Sequence, residues 1–174
     1  DPQKKDNLKG KIISINLATK DYKVKAMGFR NPQGLFYDKK DNIIYSSDHG
    51  PQGGDEININ KNPDESLFKN YGWPISSYGE HYGFPEDKAL EEYKRAPLYK
   101  SHKKYGFLEP LKYFVPSIAP SQILKAKGFD AGEDNVIYLA AMGYDIEEGD
   151  LSVHKFTLND DHQIEDHLIL PMGE

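Results

Sequence analysis

The chain has 174 residues, which is enough for a single domain with a buried core. It carries 22 lysine and arginine residues against 28 aspartate and glutamate residues, a formal net charge of -6. That balance argues against a nucleic-acid-binding protein, because phosphate contacts need a basic surface. No apolar run approaches the roughly 18 residues that a membrane-spanning helix needs. Cysteine is absent, which excludes disulfides, thiol catalysis and thiolate metal sites.

Both ends of the sequence have the character of interior positions in a longer domain. The first residue is Asp1 rather than a methionine, and the apolar run of residues 168–171 (LILP) lies almost at the end of the chain. We therefore expect residues 1–174 to form a single partial domain that is truncated at both ends.

Short β-strands are the dominant predicted elements, because apolar and polar residues alternate in segments rich in β-branched and aromatic side chains. Ten strands are predicted, at residues 11–17, 22–27, 34–37, 42–47, 56–60, 111–115, 121–125, 135–141, 151–158 and 163–170. Polar turns separate them, and the single predicted helix is short, at residues 86–94. This pattern predicts an all-β sandwich, barrel or propeller.

A weak internal repeat favours the propeller. A strand, a turn with Asp or Asn and a second strand occur in residues 36–47, and a similar unit occurs in residues 123–140. The separation of about 90 residues matches two blades of roughly 40 to 50 residues each. Between the two units lies a long irregular stretch, residues 61–109, and loops of this length are usually functional.

Three segments carry the candidate chemistry: residues 30–35 (RNPQGL), 48–58 (DHGPQGGDEIN) and 70–74 (NYGWP). In the second, Gly-Pro and Gly-Gly pairs can point backbone carbonyls out of regular structure, and Asp55 and Glu56 add carboxylates. Such hard oxygens suit calcium, which takes 6 to 8 oxygen ligands. The alternative is a glycine-rich turn with two solvated acids.

Other side chains in these segments also have two interpretations. Arg30 could hold a carboxylate or a quinone oxygen through its rigid guanidinium, or it could be an ordinary surface residue. Trp73, with Tyr71, could stack on a sugar ring, or it could pack in the core at the base of the loop. Residues 102–105 (HKKY) are interpreted as a solvated basic turn.

Together, and in this order, the three segments resemble the signature of the glucose/sorbosone dehydrogenase family. Residues 10–15 (GKIISI) resemble a strand that precedes the signature in that family, and residues 116–121 (PSIAPS) resemble one that follows it. The resemblance implies an all-β, six-bladed β-propeller, of which this chain supplies about three blades. It also implies a periplasmic or secreted location.

The resemblance further implies two cofactors, pyrroloquinoline quinone and calcium, and a sugar substrate oxidised at its C1 hydroxyl. By resemblance, Arg30 and Asn31 contact the quinone, and the carbonyls of Gly50 and Pro51 hold the calcium that also binds the quinone. The positions of Glu56 and Tyr71 help to form a separate calcium site. The catalytic histidine base of the family belongs to an earlier blade, so no catalytic residue is assigned here and the fragment alone is expected to be inactive.

One departure from the family pattern leaves two functions open. A quinone-binding lysine is expected after the strand at residues 136–142, but residues 141–144 are AMGY. The chain is therefore expected to be part of a sugar dehydrogenase or, alternatively, a non-catalytic propeller module that binds carbohydrate or protein. An open half-ring would expose blade faces, so we expect self-association, for example as a two-fold homodimer whose three plus three blades close the ring.

Overall fold

The computed structural model describes residues 1–65, 69–83, 87–88, 90–126, 135–143 and 151–172. Within this part of the chain nearly all regular structure is β-strand, which confirms the all-β prediction. The eleven strands are β1 (Lys11–Ile15), β2 (Tyr22–Met27), β3 (Pro32–Asp38), β4 (Ile43–Asp48), β5 (Asp55–Lys61), β6 (Lys69–Asn70), β7 (Lys112–Phe114), β8 (Pro120–Lys125), β9 (Val136–Ala141), β10 (Ser152–Leu158) and β11 (Ile164–Pro171).

The strands form three sheets that correspond to about three propeller blades. The first has the order β1-β2-β6, with β1 and β2 antiparallel and the two-residue β6 added parallel to β2. The second is antiparallel with the order β3-β4-β5-β7, and the third is antiparallel with the order β8-β9-β10-β11. Ten of these strands lie where the alternation predicted them; β6 is too short to give a sequence signal.

The main core lies between the second and third sheets. On β10 the buried side chains alternate, with His154, Phe156 and Leu158 facing inward, as expected for a strand with one covered face. β4 is buried along its whole length. The buried core residues are Ile43, Tyr45, Ile57, Phe114, Ile123, Ile137, Leu139, Phe156 and Leu158. Burial of these apolar side chains is what holds one blade against the next.

Helical structure is minor in the described part of the chain. The predicted helix at residues 86–94 appears as the exposed helix α1 (Glu91–Arg95), while residues 86 and 89 lie outside the described residues. A 3₁₀ turn spans Lys103–Tyr105. Among the described residues no helix is long and apolar enough to cross a membrane.

A buried ion pair joins the second and third sheets at one end of the blades. Lys125, at the end of β8, places its Nζ 2.7 Å from Oδ2 of Asp38, the last residue of β3, and 2.7 Å from Oδ2 of Asp41 in the β3–β4 turn. The Lys125 and Asp38 side chains are only 4% and 1% exposed. Burial lowers the pKa of Lys125, but the two carboxylates raise it by more, so the lysine stays charged.

Replacing Lys125 with alanine is expected to lower the free energy of unfolding by about 3 kcal/mol, because the buried Asp38 carboxylate would lose the ammonium group that balances its charge. Lys39→Ala removes an exposed lysine from the same turn and should change the free energy by less than about 0.5 kcal/mol. Urea denaturation of both variants gives the comparison. Equal stabilities would show that the ion pair does not join the blades.

His154 is a second buried titratable group in this interface. Its Nδ1 lies 2.9 Å from His167 Nε2, and its ring meets the Phe114 ring edge-on at 5.7 Å between centroids. Burial, followed by the charges of His167 and Lys112, lowers the pKa of His154 to about 4. The folded protein therefore favours the neutral imidazole.

Because the pKa of His154 is lower in the folded than in the unfolded protein, its contribution to stability is fully present above about pH 6.5 and is lost as the pH falls towards 4. On lowering the pH from 7 to 5, we expect the free energy of unfolding of the wild-type protein to fall by roughly 1 to 2 kcal/mol more than that of His154→Phe. The phenylalanine keeps a ring at this position but cannot titrate. Urea midpoints at the two pH values measure this difference, and a constant difference would contradict it.

Candidate functional site

Three irregular segments meet at the end of the blades opposite Lys125. They are the residues just before β3, the β4–β5 loop and the segment that follows β6. Together they enclose a cavity of about 10 Å³, enough room for one water molecule or one ion. The residues lining it are Arg30, Asp48, Gly50, Gly54, Glu56, Tyr71, Trp73, Ser76 and Ser77.

The candidate residues are thus partly brought together. Arg30, Gly50, Glu56 and Tyr71 line one cavity, although Glu56 and Tyr71 were expected at a separate site. Asn31 and Pro51 belong to the same loops without lining it. The Asn31 side chain is exposed, and its Oδ1 accepts a hydrogen bond from Gln33.

Arg30 extends along the rim of the cavity. Its Nη1 donates a 3.3 Å hydrogen bond to the His49 carbonyl, and its Cζ lies 5.5 Å from the centre of the Trp73 ring and 6.0 Å from that of Tyr82. A cation at this distance from an aromatic face is held electrostatically. Since Arg30 is only partly buried, its remaining donors can reach an anionic ligand.

Asp48, at the end of β4, fixes the backbone from which Arg30 projects. Its Oδ2 accepts the Arg30 N–H at 2.9 Å, and its Oδ1 accepts the Asn31 N–H at 2.6 Å. Burial and the neighbouring Glu56 carboxylate raise the pKa of Asp48 to about 7, although the two N–H groups and the Arg30 charge act against this. Sequence reasoning did not single out Asp48, because its role depends on two residues 17 and 18 positions away.

Gly50 sits where no other residue fits. A Cβ at this position would lie 2.3 Å from the Gly53 carbonyl oxygen and 2.4 Å from that of Gly54. The β4–β5 loop therefore folds tightly upon itself and brings backbone oxygens close together. The expectation that the Gly-Pro and Gly-Gly pairs turn carbonyls out of regular structure stays a prediction.

Asp55 is not available as a metal ligand, and the hypothesis that it supplies one is wrong. Its side chain is fully buried. Its carboxylate accepts hydrogen bonds from the Gly50, Ile118 and Ala119 N–H groups and from the Ser117 hydroxyl. The alternative of two solvated acids is also wrong, because Glu56 is buried as well.

Glu56 faces His102 across the cavity wall. Their Oε1 and Nε2 atoms are 3.1 Å apart, although they are not aligned for a hydrogen bond, and Glu56 Oε2 accepts from Asn58 Nδ2 at 3.1 Å. His102 Nδ1 lies 2.9 Å from Ser76 Oγ. Burial lowers the pKa of His102, but the Glu56 and Glu109 carboxylates raise it, and the net direction is upward.

The interpretation of residues 102–105 as a solvated turn is therefore wrong for His102, which is 1% exposed, while Lys103 and Lys104 are exposed as expected. The basic neighbours gave no signal of burial. Only the tertiary fold, which returns His102 to β5, places this imidazole beside Glu56.

The aromatic residues of the third segment have separate roles. Tyr71 is 1% exposed, its ring lies 4.8 Å from that of Phe29, and its hydroxyl donates to the Ile59 carbonyl at 2.7 Å. Tyr71 is consequently a core residue, and the hypothesis that it stacks on a sugar is wrong. Trp73 is only partly buried and lies beside Arg30.

Side-chain metal ligands do not cluster in this region. Within the described ranges there is no group of three or more His, Asp or Glu side chains that could hold a metal ion. Any cation at the β4–β5 loop would therefore rely on backbone carbonyls.

Gly50→Ala is expected to lower the free energy of unfolding by about 2 to 3 kcal/mol, because the added methyl would overlap two carbonyl groups of the same loop. Gly106→Ala is the matched control: a Cβ there meets nothing within 4 Å, and only its positive φ of 80° opposes the change, at about 1 kcal/mol. Chemical denaturation tests this order of stabilities. A Gly50→Ala variant as stable as the control would show that the loop is not tightly folded.

Comparison with known proteins gives three informative matches. Aldose sugar dehydrogenase YliI of Escherichia coli is 48% identical over 64 residues, which are 35% of this chain and 16% of that protein. An uncharacterized protein of Synechocystis is 27% identical over 148 residues, 84% of this chain and 31% of that protein. A crystal structure of a glucose dehydrogenase superposes with a TM-score of 0.68 at 25% identity, over 95% of this chain and 46% of that chain.

The chain thus spans less than half the length of each of these relatives. The structural match agrees with the prediction of about three propeller blades. The sequence model of the Glucose / Sorbosone dehydrogenase family matches residues 1–145. The chain belongs to the glucose/sorbosone dehydrogenase family.

Proposed function

We propose that this chain is the cofactor-holding part of an aldose sugar dehydrogenase that uses pyrroloquinoline quinone and calcium. The observation that carries the proposal is that the Arg30 guanidinium and the tightly folded Gly50 loop line one cavity at one end of the blades. A cation-binding loop beside a partly exposed arginine suits a ligand that carries both anionic groups and metal-binding oxygens.

The residues present fit a calcium ion at this loop. A Cβ at Gly50 would fill the space beside the Gly53 and Gly54 carbonyl oxygens, so a glycine at this position keeps that space free of side-chain atoms. The Gly50 and Pro51 carbonyls would hold the calcium, and Arg30 and Asn31 would hold the quinone. When bound, the quinone accepts the hydride of the sugar C1 position and the calcium acts as a Lewis acid.

In this proposal the residues of this chain bind the cofactors and orient them. Arg30 supplies the charge that holds an anion, and Trp73 and Asp48 fix its side chain and backbone. His49 is not the base, since its Nε2 lies 2.6 Å from the Pro120 carbonyl and its ring serves to fix the loop. Proton removal from the sugar is assigned to a histidine of an earlier blade, so the fragment alone is expected to be inactive.

We also propose a second calcium ion near Glu56 and Tyr71, beside Asn58 and outside the one-ion cavity that the Gly50 loop lines. Asn58 Oδ1 is buried without a hydrogen-bond partner among the described residues, and it belongs to the residue that donates to Glu56. The Asn58 amide oxygen and the Glu56 carboxylate are hard oxygens of the kind that calcium binds. The Tyr71 hydroxyl is already bonded to Ile59, and a cation here would compete with His102 for Glu56.

A non-catalytic propeller module that binds carbohydrate or protein is the second candidate. It is favoured by the end of β9, where Ala141, Met142 and Gly143 stand in place of the expected lysine. A periplasmic or secreted location, and a homodimer that closes the ring, remain predictions of the resemblance. Exposed apolar residues on β11 (Leu168, Ile169 and Leu170) are the type of surface that further blades or a second copy would cover.

The test uses the full-length protein, with pyrroloquinoline quinone and calcium added and dye reduction followed with a panel of aldoses. Wild-type protein should bind the quinone and reduce the dye. Arg30→Ala should weaken quinone binding by about 10- to 100-fold, the effect of losing a charge-assisted contact. Arg95→Ala, on the exposed helix α1, should leave binding unchanged. A wild-type protein that binds carbohydrate but no quinone would overturn this proposal in favour of the second candidate.

A further inference from the structure

Asp55 begins β5 and lies between two blades. It pairs with Phe114 of β7 in the second sheet, and its side chain has no solvent exposure. A carboxylate so deeply buried is costly unless every oxygen lone pair finds a donor. The surroundings of Asp55 therefore indicate what the residue does.

The two carboxylate oxygens of Asp55 accept hydrogen bonds from different parts of the protein. Oδ1 accepts the Gly50 N–H at 2.9 Å. Oδ2 accepts the Ile118 N–H at 2.8 Å and the Ala119 N–H at 2.9 Å, and it also accepts the Ser117 hydroxyl. The total of four donors equals the roughly four acceptor sites of a carboxylate, although three of them are on Oδ2 and one is on Oδ1.

The two sets of donors belong to different blades. Gly50 lies in the β4–β5 loop of the second sheet, whereas residues 117–119 lead into β8 of the third. Ala119 has a positive φ of 47°, an unfavourable conformation for a residue with a side chain, so this turn needs outside contacts to persist. Hydrogen bonds to a buried charge are strong enough to supply them.

The same turn continues the connection to the end of β9. The Met142 N–H donates to the Ala119 carbonyl at 3.0 Å, and the Gly143 N–H donates to the Ile118 carbonyl at 2.9 Å. One hydrogen-bonded path therefore runs from Gly50 through Asp55 to residues 142 and 143. Ser47 and His49 also bond to β8, through the Ser121 and Pro120 carbonyls, but neither bond holds the Gly50 N–H.

We propose that Asp55 is a positioning residue that couples the Gly50 loop of one blade to the entry of the next, so that the cation-binding loop and residues 142–143 move as one unit. The proposal rests on the proposed function only in giving the Gly50 loop a cation to bind. The coupling itself is a property of the protein without cofactors.

Asp55→Asn is the principal test, because the amide has the same shape but turns one acceptor oxygen into a donor that faces N–H groups. Hydrogen exchange of the full-length protein, read by mass spectrometry, should show that peptides containing Gly50 and residues 118–119 both exchange at least 10-fold faster, while β10 peptides are unchanged. Calcium affinity should fall at least 10-fold. Asp160→Asn, which removes an exposed negative charge, should alter neither measurement.

Ser117→Ala is the second variant and keeps the test decisive if Asp55→Asn does not fold. It removes one donor to Oδ2 and leaves Gly50 untouched, yet the Gly50 peptide should still exchange several-fold faster because the two oxygens belong to one carboxylate. Unchanged exchange at Gly50 in both variants, or in Ser117→Ala alone if Asp55→Asn is unfolded, would overturn the coupling. If wild-type binds neither calcium nor quinone, the proposed function fails, and the exchange measurements still decide on Asp55.

Discussion

The candidate site depends on two buried carboxylates that take up the N–H groups of irregular backbone. A loop that leaves a sheet and remains buried must pair its polar groups, because an unpaired buried N–H is costly. Asp48 pairs those of Arg30 and Asn31, and Asp55 pairs those of Gly50, Ile118 and Ala119. Both acids lie at the same end of neighbouring strands, so a rigid sheet sets the positions of loops that have no regular structure of their own.

Contacts elsewhere in the fold hold the second and third sheets together and so support the end of the blades that carries the site. Apolar side chains from β4, β5, β7, β8, β9 and β10 fill the space between the second and third sheets. At the opposite end of the blades Lys125 of one sheet meets Asp38 and Asp41 of the other. The blades are thus joined by hydrophobic packing in the middle, by an ion pair at one end and by carboxylate-to-backbone hydrogen bonds at the other. Only the last of these joins contributes to the site.

The segment between β5 and β7 completes the cavity. It adds β6 to the first sheet and then returns to the second, bringing Tyr71, Trp73, Ser76 and His102 over the loops on the way. Its side chains have different roles: Tyr71 packs in the core, Trp73 lies against the Arg30 guanidinium and His102 faces Glu56. A propeller blade ordinarily connects its strands by short turns. The long connection here is consistent with the view that extended loops on a rigid scaffold carry function.

By itself the sequence determined the all-β fold, the positions of ten strands and the three segments that meet at the site, because alternation, turn residues and motif order are local properties. It also pointed to Arg30 and Gly50, whose residue types are tied to anion binding and tight turns. The roles of Asp48, Asp55 and His102 were decided only by the tertiary structure. An acid that ends a strand has the same local pattern whether its oxygens face water, a metal ion or backbone N–H groups, and a histidine in a basic turn looks solvated until the chain folds it beside a glutamate. The roles of these residues depend on burial and on hydrogen bonds between residues distant in sequence, and neither can be inferred from a few neighbouring residues.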